Sequence, residues 1–595
     1  MQQDNRNLWL AIVLSVAILL GWQVFFPDQS MFQQPEEVAQ STTQGADGGQ
    51  SAGAPAGGQA PGAPGVAPPG GAVVPGSDAG LSRDAALEKA PRVEIDTPRL
   101  KGSLNLKGAR LDDLTLKGYH ETVDDTSPLI DLLHPSAGAK PYYAEFGWTG
   151  GEGLVTPTPD SVWQADGKVL SVDRPVTLSW SNGEGQTFEQ TLQIDRDYML
   201  SVTQRVVNDG NSTIALSPYG LISRTGTPET LGFYILHEGL IGVLQEGLEE
   251  IDYDDLADEP NGRMTFETTG GWAGITDKYW LVSLIPDQSM PVDVRYLAAK
   301  RGAQDLYQVD FLSPAQSVPA GGSVERTSQL FAGAKETTLL DRYEQEQGIV
   351  NFDLAVDFGW FYFLTKPIFL AIHWLNGILG NFGLAILALT LVIKIFFFPL
   401  ANKSYKSMSK MKLLQPKMQA LKEKYGDDRT KMNQELMEMY KKEKVNPMSG
   451  CLPILVQIPV FFSLYKVLFV TIEMRHAPFF GWIQDLSAPD PLGLLTAFGL
   501  IDWNVPELIA IFNIGLWPII MGLSMFLQQK LNPAPTDPIQ QKVFAFMPLI
   551  FTFLLAQFPA GLVIYWAWNN TLSIAQQYVI MRRMGVAIGG GKAKP

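Results

Sequence analysis

The strongest constraint on this chain is a set of six long apolar stretches, five of which follow residue 357. A bilayer core of roughly 30 Å is crossed by about 20 mostly apolar helical residues. The first stretch, residues 8–26, exceeds a usual signal-peptide core, and no small-residue cleavage site follows it. Residues 1–27 are therefore predicted to be a retained anchor rather than a cleaved signal. The other predicted spans are residues 381–401, 451–472, 509–529, 543–558 and 561–583.

Charge predicts the orientation of these spans. Residues 402–444 hold twelve Lys+Arg against six Asp+Glu, so the positive-inside rule places them, with the tail 584–595, in the cytoplasm. Residues 28–357 carry a net charge of −26 and then lie outside, as does the loop 473–508. The prediction is a multi-pass membrane protein with both termini in the cytoplasm. Residues 358–380 are apolar but interrupted by Lys366 and Pro367, which is typical of an amphipathic interfacial helix.

The outer segment has two parts. Residues 28–91 are rich in Gly, Pro, Ala and Gln and are predicted to be a flexible linker, because such a composition buries too little surface to fold. Residues 92–345 contain short alternating segments rich in Val, Thr, Tyr and Phe, which predict a large all-β sandwich. Its three histidines share no metal-ligand spacing, and each is interpreted as structural; they are His120, His134 and His237.

Residues 402–450 predict a cytoplasmic helical hairpin. The turn is at Tyr425–Asp428, and an Asp or Thr430 caps the second helix. Methionines are concentrated here, and two interpretations stay open. A flexible Met-rich face suits partners of varied sequence, but the same side chains are equally able to pack the two helices together. The residues predicted to capture such partners are Met408, Met411, Met418, Met432 and Met437.

Lys394 is the strongest chemical signal, because charged residues inside spans are costly and usually face a bundle interior or a watery cavity. The alternative is that its long side chain reaches the inner headgroups. Polar residues on the other spans favour a hydrophilic groove, although such residues also serve as hydrogen bonds between helices. The groove is predicted to include Thr390, Gln457, Ser463, Ser524, Gln528, Tyr565, Asn569, Ser573 and Gln576.

Three runs, KIFFFPLANKSYKSMSKMKLLQPKMQALKEKYGDD, EKVNPMSGCLPILVQIPVFFSLYKVL and FMPLIFTFLLAQFPAGLVIYWAWNNTLSIAQQ, resemble the YidC family of membrane insertases. The resemblance covers about 230 residues, from Phe358 to the C-terminus. It implies a five-helix insertase core whose groove opens to the cytoplasm and to lipid. It also implies a periplasmic β-super-sandwich similar to sugar mutarotases. Lys394 falls where the family usually has arginine, and the aromatic position in the last span is Tyr565 or Trp566.

The function implied is insertion and folding of proteins in the bacterial inner membrane, alone or with the Sec translocon, and the implied location of this chain is that membrane. The implied partners are nascent membrane proteins, the Sec translocon and the phospholipid bilayer, with the ribosome and the signal recognition pathway as further candidates. No enzymatic activity, cofactor, metal or nucleic-acid binding is expected, since the chain has one cysteine and no phosphate-binding loop. The main rival is a secondary transporter or channel that uses the membrane lysine. A second rival is a carbohydrate-active enzyme on a membrane anchor.

Overall fold

The computed structural model describes residues 80–584, other than 152, 231–235, 426–427, 444, 446–451, 502, 504, 511 and 533–537. The predicted anchor 1–27, most of the linker, Cys451 and nearly all of the tail lie outside the described residues. The chain divides into two compact units. One unit includes Pro416–Val445, and the other includes Val66–Gln415 and Asn446–Pro595.

The β-rich region forms two large sheets, which confirms the predicted β-sandwich. In the described part of the chain the first sheet has eleven strands and the second has nine. The strands of the two sheets, in chain order, are β1 (Arg92–Asp96), β2 (Leu100–Asn105), β3 (Arg110–His120), β4 (Leu129–Leu133), β5 (Tyr142–Gly150), β6 (Gln164–Ala165), β7 (Val169–Leu170), β8 (Val176–Ser181), β9 (Gln186–Ile194), β10 (Met199–Asn208), β11 (Ile214–Thr225), β12 (Gly239–Leu244), β13 (Gly247–Ile251), β14 (Arg263–Thr269), β15 (Trp272–Thr276), β16 (Trp280–Ile285), β17 (Pro291–Arg301), β18 (Gln304–Leu312), β19 (Gln316–Val318) and β20 (Gly322–Ala334).

The first sheet has the order β14-β17-β18-β11-β5-β3-β2-β1-β7, with β19 paired to β11 and β4 to β3. The second has the order β13-β12-β15-β16-β20-β10-β9-β8-β6. Pairing is antiparallel except between β1 and β7. Along β9, buried and less buried residues alternate, as expected of a strand with one face on a core.

Two glutamines join the sheets. Gln190 on β9 and Gln204 on β10 donate across the core to the Phe146 and Gly147 carbonyls of β5, at 2.6 and 2.7 Å. These bonds give the buried glutamine amide nitrogens partners inside the core, as buried polar groups require. The surrounding core is aromatic and includes Trp148, Phe188, Trp272, Tyr296 and Phe331.

Three short helices accompany the sheets: α1 (Arg83–Leu87), α2 (Tyr253–Asp258) and α3 (Thr337–Gln347). Helix α1 lies inside the segment predicted to be a flexible linker, so that prediction is wrong for its last residues. Arg83 Nε donates to Asp113 on β3 at 3.1 Å, and its guanidinium also pairs with Asp131 on β4. Composition missed this contact because it comes from two acidic residues far along the chain.

The C-terminal region is helical. Helix α6 contains Pro416, and α7 begins with Asp428 as its N-cap, whose carboxylate accepts from Lys431 N at 3.1 Å. The predicted cap of the second hairpin helix is thus confirmed at Asp428. The helices are α4 (Tyr362–Leu379), α5 (Phe382–Phe396), α6 (Phe398–Tyr425), α7 (Arg429–Lys442), α8 (Leu452–Val470), α9 (Glu507–Ala510), α10 (Leu516–Leu531), α11 (Pro538–Leu554) and α12 (Ala560–Arg583).

No single helix in the described ranges is both long and apolar enough to cross a bilayer. Helices α4 and α5 meet that criterion only together, with a bend of 120° between them. Two shorter apolar helical segments are Gln457–Val470 and Gln541–Gln557. The number of spans therefore stays a prediction.

Candidate functional site

The polar residues of the helical region meet around Lys394, in the last turn of α5. Its side chain is half-buried, and Nζ donates to Ser573 Oγ on α12 at 2.8 Å. Ser573 is buried, and its hydroxyl donates to the Asn569 carbonyl at 2.8 Å. Within the described residues no carboxylate forms an ion pair with Lys394. The lysine is therefore held by a neutral hydroxyl, and its charge is not compensated.

A cavity of about 40 Å³ lies beside this lysine. One water needs roughly 10–15 Å³ of such space, so the cavity has room for a few waters. Apolar walls on both sides lower the local dielectric, which strengthens the attraction of the ammonium for an acidic group. The lining residues are Ile393, Lys394, Phe397, Leu400, Ala401, Tyr405, Gln457 and Val460.

Gln457 connects α8 to α12. Its Nε2 donates to the hydroxyl of Tyr565, a fully buried side chain. Gln457 also lines the cavity beside Lys394. The structure thus brings together four of the predicted groove residues, namely Lys394, Gln457, Tyr565 and Ser573.

A second polar contact joins α10 and α12. Asn570 Nδ2 donates to Ser524 Oγ at 2.9 Å, and that hydroxyl donates to the Met521 carbonyl at 2.6 Å. Both side chains are buried. Asn569 is one of the predicted groove residues, but the contact to α10 is made by Asn570, which was not predicted. It also missed Tyr405 on the cavity wall and Gln577, which donates to Asn532 Oδ1 at 3.1 Å.

A signal for two of these missed residues was present. Asn570 and Gln577 lie two helical turns apart and form a polar stripe beside the predicted one. The predicted stripe has buried polar atoms for which the described residues supply no partner, on Asn569 and Gln576. The polar surface of α12 is therefore wider than a single stripe.

Other predicted groove residues have different surroundings. The Thr390 hydroxyl donates to the Ile386 carbonyl of its own helix at 2.7 Å. Trp566 packs against Phe461 and Phe551, with ring centroids 4.7 and 5.6 Å apart. Gln528 is half-buried, and Ser463 is buried with no partner for its hydroxyl among the described residues.

The methionines of the hairpin divide by burial. In the unit that includes Pro416–Val445, Met418 is buried and accepts a hydrogen bond from the Tyr440 hydroxyl at 3.7 Å, whereas Met437 is exposed. In the other unit, Met408 is buried against Tyr405 and Ile580. Met411 and Met432 are half-buried.

The histidines of the β-sandwich lie apart. His120 Nδ1 contacts the Ser127 carbonyl at 2.7 Å, and His237 Nε2 contacts the Leu240 carbonyl at 2.9 Å. Over the described residues, no three His, Cys, Asp or Glu side chains form a group suited to a metal ion. The cavity beside Lys394, with the contacts of Gln457, Tyr565 and Ser573, is therefore the candidate functional site.

The structure thus defines a class of protein in which an apolar helical region, with the Lys394 ammonium beside a small cavity, is joined to a large β-sandwich. Comparison with known proteins is specific. The family described as 60Kd inner membrane protein matches residues 374–587, and the YidC periplasmic domain family matches residues 92–371. The chain belongs to the YidC family.

A relative from Methylorubrum extorquens (strain PA1), named membrane protein insertase YidC, is 52% identical over 602 residues. The alignment covers 99% of this chain and 97% of the relative. An active YidC insertase crystal structure matches with a TM-score of 0.36 and 19% identity, over 82% of this chain and 93% of that one. A galactose mutarotase related enzyme from Lactobacillus acidophilus matches with a TM-score of 0.30 and 10% identity, over 40% of this chain and 97% of that one. At these TM-scores neither structure supports a further argument.

Proposed function

We propose that this chain is a membrane protein insertase and chaperone, which inserts and folds proteins in the inner membrane through a hydrophilic groove with one positive charge. Family membership supports the activity, since the relative from Methylorubrum extorquens is named an insertase. The main support for the proposed groove is the position of the Lys394 ammonium. It lies beside a cavity, and among the described residues only the Ser573 hydroxyl binds it.

The physical basis is the cost of moving polar groups through hydrocarbon. Each unpaired amide or hydroxyl loses several kcal/mol when it leaves water for an apolar medium, roughly 2–7 kcal/mol. A cavity with water shortens the dry path, and a positive charge attracts carboxylates of an incoming chain. The apolar helix of the substrate then moves into lipid between α8 and α11, where burial of its surface stabilises it.

The topology belongs to the same proposal. Six spans place residues 28–357 in the periplasm and the hairpin 402–450 in the cytoplasm. The exposed Met437 supports a role for this hairpin in capturing substrates, whereas the buried Met418 stabilises the hairpin itself. The partners are nascent membrane proteins, with the Sec translocon as a cooperating channel and the ribosome and signal recognition pathway as sources of substrate.

The rival functions have less support. A secondary transporter or channel would also use a membrane lysine, but membership of a family with insertase relatives does not favour it. Ion flux through vesicles that contain the purified protein separates the two. A carbohydrate-active site would need clustered histidines and carboxylates. His237 pairs with the Asp252 carboxylate at 3.2 Å, but His120 and His237 contact separate backbone carbonyls and share no cluster among the described residues.

Site-specific photocrosslinking tests the groove. A photoreactive side chain at Gln457 or Ser524 is expected to form adducts with a single-span substrate stalled during insertion. The same group at Glu184, an exposed residue of the β-sandwich, is the control and is expected to form none. Adducts at Glu184 but at neither groove position would contradict the proposed path.

A further inference from the structure

The segment between α8 and α10 contains a closed loop, residues 493–515, here called the apolar loop. Gly493 and Gly515 pair across its base as an antiparallel bridge. Neither glycine has room for a side chain, since a Cβ at Gly493 would lie 1.9 Å from Asn513 Oδ1 and one at Gly515 would lie 2.5 Å from Asp490 Cβ. The bridge therefore holds the two ends of the loop close together.

Asp490 fixes the base of the apolar loop to the helical core. Its buried carboxylate accepts from Trp517 N at 2.7 Å, Leu492 N at 3.0 Å and Trp482 Nε1 at 2.9 Å. Trp517 is in the first turn of α10, so the same carboxylate caps that helix. These hydrogen bonds hold the base of the loop in a fixed position at the start of α10.

The loop exposes large apolar side chains. Leu500 is 88% exposed, and Ile501 and Trp503 are exposed beside it. The Trp503 indole donates to the Leu495 carbonyl at 2.9 Å, so its polar atom is satisfied inside the loop. Contiguous exposed apolar surface of this kind marks an interaction site. The other exposed apolar side chains of the loop are Leu494, Phe498 and Phe512.

Charge and continuity identify the occupant as lipid. No Lys or Arg occurs between Arg475 and Lys530, and the charged residues of the loop are Asp502 and Glu507. Their negative charge disfavours an anionic lipid surface and favours zwitterionic headgroups. The exposed apolar side chains resume on α10 directly after the loop, at Ile520, Leu523 and Phe526, in a region that matches an inner-membrane protein family. A tryptophan with a satisfied donor suits the boundary between headgroups and acyl chains.

We propose that the apolar loop inserts into the bilayer interface beside α10, with Leu500 and Ile501 among the acyl chains of zwitterionic phospholipids. The leaflet is the outer one if the proposed topology holds, and on this point alone the inference rests on the proposed function. The loop then anchors the outer end of α10 and fixes the depth at which the helical core lies in the bilayer.

Depth-dependent quenching tests this inference in the full-length protein. A Cys451→Ser background receives Leu500→Cys labelled with an environment-sensitive fluorophore, and Glu184→Cys in the β-sandwich is the matched control. Each is reconstituted into phosphatidylcholine vesicles that carry spin-labelled lipids, with the nitroxide either near the headgroup or deep in the chain. The label at Leu500 is expected to be quenched several-fold more by the shallow nitroxide than the label at Glu184, and to be protected from aqueous iodide.

Three outcomes would overturn the proposal. Free quenching by iodide places the loop in water. Protection from iodide without quenching by either lipid places it against protein, either a second copy or a partner. Stronger quenching by the deep nitroxide places it in the hydrocarbon core rather than at the interface. Insertion activity measured on the same vesicles separates failure of the loop proposal from failure of the insertase proposal.

Discussion

Lys394 depends on one neutral partner for its position. A charged residue within an apolar run was enough to predict Lys394 as a site residue. Its partner could not be predicted, because it depends on which face of α12 packs against α5. Ser573 was named only as one member of a stripe. Periodicity therefore predicted which residues share a helix face, and packing of the two helices decided which of them meet Lys394.

Substitution of Ser573 by alanine tests this contact. A hydrogen bond to a charged group contributes roughly 1.5–3 kcal/mol, so Ser573→Ala is expected to lower the free energy of unfolding in detergent by about 2 kcal/mol. Thr571→Ala is the control, because in the described part of the chain its hydroxyl bonds only the Ala567 carbonyl of its own helix. An equal decrease in the free energy of unfolding in the two variants would show that the contact with Lys394 does not stabilise the protein.

Glu473 gives a pH-dependent prediction. The side chain is half-buried, Oε1 accepts from Thr337 N at 2.9 Å, and the buried Oε2 atom lacks a partner among the described residues. Burial, with the negative charge of nearby Glu336, raises the pKa of Glu473 from 4.5 to about 7. The folded state therefore holds this proton more tightly than the unfolded state, and stability falls as the pH rises through that window.

Unfolding measured at about pH 5 and about pH 8 checks the Glu473 prediction, because a shift of this size corresponds to at most about 3 kcal/mol. Glu473→Gln is expected to remove most of the difference between the two pH values, since the amide does not ionise. Glu184→Gln at an exposed site is the control. An unchanged pH dependence in Glu473→Gln would contradict the assignment.

At the scale of elements, the sequence predicted the type of each element better than its ends. The apolar stretch from residue 509 was predicted to be a span, but helix α10 begins at Leu516. No charged residue separates Ile509 from Leu516, so the apolar run enters the helix unbroken, whereas the helix itself begins where the buried Asp490 caps it. The signal that separates loop from helix is a carboxylate outside the apolar stretch, so a hydropathy window does not detect it.

The start of the second hairpin helix, α7, was predicted correctly, because its N-cap residue Asp428 is adjacent to it in the sequence. Loss of an N-cap costs about 1 kcal/mol, so Asp428→Ala is expected to increase hydrogen exchange of the first-turn amides of α7 by roughly fivefold. Hydrogen exchange with mass spectrometry measures this, and Glu435→Ala in the same helix is the control. No change at Lys431 would contradict the capping role.

At the scale of the whole molecule, the acidic outer block and the basic helical block were predicted from charge alone. The contacts that join the β-sandwich to the helices were not predicted, because no local pattern in the sequence marks which charged side chains pair across separate elements. Arg475, just after α8, donates to the His120 carbonyl at the end of β3 at 2.6 Å. Lys466 on α8 pairs with Asp357 at 2.7 Å.

Lys366 on α4 is the most connected of these joining residues. It pairs with Asp341 on α3 at 2.9 Å and with buried Asp353 at 2.5 Å. Removing one partner of a buried pair costs about 3–5 kcal/mol, because the other charge stays buried. Lys366→Met is therefore expected to separate unfolding of the β-sandwich from that of the helices into two transitions. Lys300→Met, which breaks an exposed pair with Asp305, is the control, and a single transition in Lys366→Met would contradict the prediction.

The proposed function depends on a single positive charge in the groove, that of Lys394. Insertion of a short single-span protein into liposomes that contain only the purified protein, scored by protease protection, tests it most directly. The wild type is expected to protect the substrate, Lys394→Arg to keep most of the activity, and Lys394→Ala to reduce it by about tenfold or more, as loss of a charged interaction of roughly 1.5–3 kcal/mol requires. Lys410→Ala, at an exposed position on α6, is the control and is expected to match the wild type. Insertion by Lys394→Ala at the wild-type level would contradict the charged-groove mechanism, and no insertion by the wild type with substrates of several polarities would contradict the function itself.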